Sequence, residues 1–101
     1  FEKQHIENTH ILNAEAFDQV LSNYITLAEK KVSSYMLLEI ETNGRSYEQM
    51  NALLESRVRA NDILGASANG KLRLLLSQAS EKDLPFVLAR FEDLDVKVTL
   101  Q

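Results

Sequence analysis

Arg59-Ala60-Asn61-Asp62-Ile63-Leu64-Gly65-Ala66-Ser67-Ala68-Asn69-Gly70-Lys71-Leu72-Arg73-Leu74-Leu75-Leu76 is the stretch whose reading decides the fold. An Arg and an Asp three residues apart close a polar, helix-like segment, and two apolar runs then flank Asn69-Gly70. Apolar runs around an Asn-Gly pair predict a β-hairpin, because its tight turn needs positive φ, which Asn and Gly tolerate best. The hairpin is expected from about Asp62 to Ser77, with a second strand, Leu72 to Leu76, that is almost wholly apolar. Arg59 and Asp62 then stand at the mouth of a helix-to-hairpin connection, where a pocket can form.

Working outward, Ser46 opens a capping box with Gln49, and Met50, Leu53, Leu54 and Val58 make one apolar stripe on the helix that follows. That helix is expected to deliver Arg57 and Arg59 at its end. Before it, Ser34 to Thr42 predicts a strand, continuously apolar at first and alternating later, broken by Asn43-Gly44. Earlier still, Asn13 caps a helix carrying Phe17, Leu21, Tyr24 and Ala28 on one side, which stops near Val32. Beyond the hairpin, Ser80 or Asp83 caps a last helix. Pro85 suits a first turn, which favours Asp83, and Leu84, Leu88 and Phe91 are expected to face inward. Val96, Val98 and Leu100 alternate in a closing strand over Asp95 to Leu100.

The predicted order is a helix followed by β-α-β-β-α-β. This is the ferredoxin-like, α+β plan: an antiparallel four-stranded sheet with two helices on one face, here with an extra N-terminal helix. Residues 13–101 form a single domain, and 1–12 are expected as a linker or the end of an upstream segment.

Composition narrows the function. A chain of 101 residues is one domain, and a net charge of −4 argues against general binding to a nucleic-acid backbone, which needs a basic footprint. A local pair of arginines can still hold a small anion. The absence of cysteine removes disulfides, thiolate chemistry and Cys-based metal sites, in keeping with a reducing cytoplasm. His5 and His10 stand five apart, which is no metal-ligand spacing, and are expected at the surface. No apolar run nears the ~18 residues of a membrane span. The start at Phe1, without Met or a signal-like segment, is read as a piece of a longer polypeptide.

The segment Arg59 to Leu72 resembles the centre of GGDEF domains, the diguanylate cyclase family, in which an Arg-x-x-Asp inhibitory-site motif precedes the GGDEF signature by five residues. Placed that way, Ala68-Asn69-Gly70-Lys71-Leu72 occupies the signature. Thr9 to Leu21 looks like the family's opening helix, and Leu37-Leu38-Glu39-Ile40-Glu41 is similar to its Asp-x-Asp strand.

Cyclisation of GTP needs glycines for close approach to phosphate and carboxylates for Mg²⁺. Lys71 puts a cation where the family places a metal-binding carboxylate, and the Asn43 to Val58 connection is far shorter than in intact cyclases. No enzyme activity, cofactor or metal is expected, and Glu39 and Glu41 are read as hydrogen-bonded strand-end acids. What the resemblance leaves is the inhibitory site: Arg59 and Asp62, with Arg90 as the second arginine, binding cyclic di-GMP. A shortened domain with a dead signature looks like the C-terminal domain of the PelD family, cyclic di-GMP receptors for Pel exopolysaccharide export. The polysaccharide secretion machinery would be its partner, and it would be the cytoplasmic part of a membrane-anchored protein. Arg73 is expected to face solvent, and Arg57 to assist the site or, preferred, to point to water. The alternative is a ligand-free dimerisation or docking module derived from a GGDEF domain; an active cyclase is a distant third, opposed by Lys71 and the short connection, and strand order alone leaves open a ferredoxin-like sensor of another ligand such as an amino acid.

Overall fold

The computed structural model describes residues 4–101. Helix α1 (Ala14–Glu29) precedes β1 (Tyr35–Ile40), α2 (Tyr47–Leu54), β2 (Asp62–Ala66), β3 (Leu72–Ser77), α3 (Leu84–Ala89) and β4 (Val98–Leu100), with a single 3₁₀ turn, Glu81–Asp83, leading into α3. The four strands form one sheet in the order β2-β3-β1-β4, every pair antiparallel. Strand β3 fills the gap between β1 and β2, and β1 fills the gap between β3 and β4. These two interlocked split βαβ units are the ferredoxin-like plan that the order of apolar runs predicts.

The sheet's period of two sorts its side chains into faces. Met36, Leu38 and Ile40 of β1 lie opposite Leu76, Leu74 and Leu72 of β3, and all six are buried. Onto this face α2 sets Met50 and Leu54, and the α3 segment sets Val87 and Phe91. Each such side chain, fully buried, contributes about 1.5–3 kcal/mol.

Helix α1 covers the opposite face. Its Phe17 is fully buried over Gly65 of β2, and Tyr24 meets Tyr35 of β1 edge-on, ring centroids 6.4 Å apart. Arg73, expected to face solvent, lies on this covered face. Its guanidinium sits 4.4 Å from the Phe17 ring centroid, donates to the Ala66 carbonyl and pairs with Asp18 at 2.7 Å. Alternation along β3 assigns Arg73 to a face but does not reveal that α1 roofs it.

Local signals hold at the helix starts. The Asn13 side chain accepts from the Ala16 N–H, and the Ser46–Gln49 capping box is closed in both directions. Helix α1 ends with Lys31 at φ 59°, its N–H bonded to Ala28 O and that of Val32 to Leu27 O. This is a Schellman ending with lysine where glycine is usual. At the hairpin tip the centre of the turn is Ala68-Asn69, closed by Gly70 N–H to Ser67 O, and Gly70 alone takes positive φ. The turn is thus one residue earlier than an Asn-Gly two-residue loop, with Gly70 as a G1-type bulge.

Several expectations are corrected. Helix α2 ends at Leu54, so Arg57 and Arg59 stand in the turns that follow it rather than on its last turn. The last helical segment begins with Ser80: its N–H is accepted by the Asp83 carboxylate, and Asp83 N–H returns to Ser80 O, while Asp83 makes no side-chain cap for α3. The 3₁₀ turn rotates α3 so that Val87 takes the buried place expected of Leu88. Of residues 1–12, expected as a linker or the end of an upstream segment, 1–3 lie outside the described residues and 4–12 pack on the domain rather than hang free: Ile11 is fully buried, and Leu12 exchanges hydrogen bonds with Leu64 and Ala66 along the edge of β2.

Candidate functional site

Strand β2 begins at Asp62, paired with Leu76 near the end of β3, so Asp62 lies at the end of the sheet away from the hairpin tip. The chain reaches it by a turn in which Asp62 N–H donates to Arg59 O, and one carboxylate oxygen, Oδ2, accepts from the Arg59 N–H at 3.0 Å. The same oxygen takes a bond from Arg90 Nη1 at 2.8 Å, from the residue that ends α3. The structure therefore joins Asp62 and Arg90, two of the three predicted site residues, directly. Their side chains are 7% and 17% exposed.

Arg59 completes the group differently. Arg45, Arg57, Arg73 and Arg90 each pair with a carboxylate, whereas the exposed Arg59 guanidinium has no partner among the described residues. It stands between two clefts. One, of about 430 Å³, is bounded by Asp62, Gln78, Asp83, Phe86 and Arg90; the other, of about 510 Å³, by His10, Asn51, Glu55 and Asp62. Asp62 Oδ1 has no hydrogen bond among the described residues, and Arg90 Nε is buried without a partner. The arrangement presents a free cation, a half-used carboxylate and a fixed second guanidinium around one concave surface. Such a set suits a ligand with acceptor and donor edges and negative charge.

Arg57, expected to face water, fixes this geometry. It holds Asp93 with two parallel bonds, at 2.5 and 2.8 Å, and donates to the Arg90 carbonyl at 2.7 Å. The hydrogen bond from Arg57 holds the Asp93 carboxyl below its ordinary value, and the same bond raises Arg57. Arg57 thus ties the turn after α2 to the end of α3. Its nearness to Arg59 in sequence was the available signal; nothing local singles out Asp93.

At the opposite end of the sheet Lys71 Nζ lies 3.2 Å from Glu39 and 3.8 Å from Glu41. Both acids are strand-end residues held by the hairpin lysine. Among the described residues no group of three or more His, Cys, Asp or Glu converges as a metal site, and no helix is long and apolar enough to cross a membrane.

No known family profile matches the chain, and no curated protein does. Six chains of known structure match. One, described as a DGC protein from Thermotoga maritima, superposes with a TM-score of 0.67 at 17% identity, over 92% of this chain and 80% of that one. The chain has a diguanylate-cyclase-like, GGDEF-type fold; at that identity the likeness speaks to fold alone.

Proposed function

We infer that this domain is a catalytically inactive receptor for cyclic di-GMP that uses Arg59, Asp62 and Arg90. The observation that carries the reading is the unpaired Arg59 guanidinium at the rim of the cleft that holds the Asp62–Arg90 pair. A guanidinium reaches guanine O6 and N7 through two parallel bonds, and a carboxylate accepts from the guanine N1–H and amino edge. Asp62 Oδ1 is free for the second task and Arg59 for the first, while Arg90 adds positive charge for phosphate.

The inactive half of the reading rests on Lys71. A lysine stands at the signature hairpin where a metal-binding carboxylate would be needed, and it sets its charge against Glu39 and Glu41, which makes a poor site for a Mg²⁺–GTP complex. In this reading the domain would be a cytoplasmic, PelD-like signal input to an exopolysaccharide secretion machine, passing on cyclic di-GMP levels. The second reading, a ligand-free docking module, draws on the same ion pair: Asp62 and Arg90 already pair with one another, as a purely structural pair would.

Calorimetric titration with cyclic di-GMP, beside Arg59→Ala and with GTP as control, separates the two. Micromolar binding, about −8 kcal/mol, that is lost in Arg59→Ala supports the receptor, and no heat from folded protein favours the docking module. Incubation with GTP and Mg²⁺ is expected to yield no cyclic product.

A further inference from the structure

We propose that Phe86 is the stacking platform of this site, taking the flat face of a guanine whose edge is read by Arg59 and Asp62. The proposal rests on the receptor reading and names the part of the ligand that the polar residues leave uncovered.

Phe86 is 77% exposed, the most exposed of the large apolar side chains described. A lone exposed apolar residue is ordinary on a protein surface. Phe86 is distinguished by its place. It borders the same cleft of about 430 Å³ as Arg59, Asp62 and Arg90. It also precedes Arg90 by four residues on the α3 segment, a spacing that sets Cβ atoms about 5–6 Å apart on one helix face. The other side of that segment is spent on the core through Val87 and Phe91. The cleft therefore offers an aromatic face, a free guanidinium and an acceptor carboxylate within one concavity. A purine presents the complementary set, a π-face with donor and acceptor edges. Aromatic stacking is tolerant of base identity, so Phe86 supplies affinity while Arg59 and Asp62 supply preference for guanine.

The chain has no tryptophan, so Phe86→Trp installs the only indole, excited selectively over the three tyrosines, at the proposed contact. Guanine stacking quenches indole emission, and cyclic di-GMP is expected to quench Trp emission in this variant with the midpoint that calorimetry gives. Phe86→Ala, at an exposed position, is expected to stay folded by circular dichroism and to bind about tenfold more weakly. Phe86→Tyr should keep wild-type affinity, and Val32→Ser, which removes another exposed apolar side chain, should not alter it. If wild type binds and Phe86→Ala binds equally well, the stacking role is overturned and the receptor reading survives. If wild type itself shows no heat with cyclic di-GMP, the receptor reading falls and the stacking role falls with it.

Discussion

Asp62 and Arg90, 28 residues apart in sequence, meet at 2.8 Å with both side chains largely withdrawn from water. A place at the mouth of a helix-to-hairpin connection implies exposed side chains whose substitution spares the fold. Only Arg59 is on a rim. Removing Asp62 strands a mostly buried guanidinium whose Nε already lacks a partner. Asp62→Ala is therefore expected to destabilise by about 3 kcal/mol, whereas Arg59→Ala should stay within about 0.5 kcal/mol of wild type. Urea unfolding of the two variants measures the contrast. Equal midpoints would mean that the Asp62–Arg90 pair is not a structural one. Loss of ligand binding is thus diagnostic only in Arg59→Ala.

Arg57 and Asp93 give an acid-sensitive contribution with a definite sign. The Arg57 hydrogen bond holds Asp93 below its ordinary value of 3.8, so the folded state binds this proton less readily than the unfolded chain. The pair's contribution is fully present above the ordinary value and is lost as pH falls through the lower folded one. Arg57 stays charged throughout this range. Asp93→Asn should therefore lie below wild type in urea midpoint at pH 7, and the gap should close as the pH is lowered past about 3.8. A gap that is constant down to pH 2 would show that the loss comes from something other than the carboxylate's charge.

What the sequence made legible was local. Asn13, the Ser46–Gln49 box and the apolar runs of β1 and β3 act through neighbours within a few residues or through a period of two, so strand order and fold class followed. The candidate site was half legible for the same reason. Arg59 and Asp62 belong to one turn, and the GGDEF-like spacing pointed to them. What stayed hidden depends on tertiary placement. Arg57 finds Asp93 at a separation of 36 residues, and Arg73 is covered because α1 packs on its side of the sheet. The polar opening dozen concealed Ile11, which is buried beside Leu12, the residue whose backbone bonds hold the segment on the edge of β2. Asn69-Gly70 marked the hairpin correctly but not its register, since a bulge at Gly70 satisfies the same sequence.

Gly65 is the glycine at which helix α1 presses directly on the sheet. A Cβ built there would lie 2.8 Å from Phe17 Cβ and closer still to two ring carbons. Rotating the Phe17 ring cannot relieve a contact with its own Cβ, so helix α1 as a whole would have to lift from the sheet. Lifting it also separates Phe17 from Arg73 and strains the Arg73–Asp18 pair. Gly65→Ala is therefore expected to destabilise by about 1–3 kcal/mol, at the upper end because the obstacle is a helix rather than a flexible tip. The double variant Gly65→Ala with Phe17→Ala should be less destabilised than the sum of the two single variants, since removing the ring frees most of the space that the new methyl needs. Additive losses in a denaturant cycle would mean that α1 does not press on β2 at this point, and that Phe17 owes its burial to other contacts.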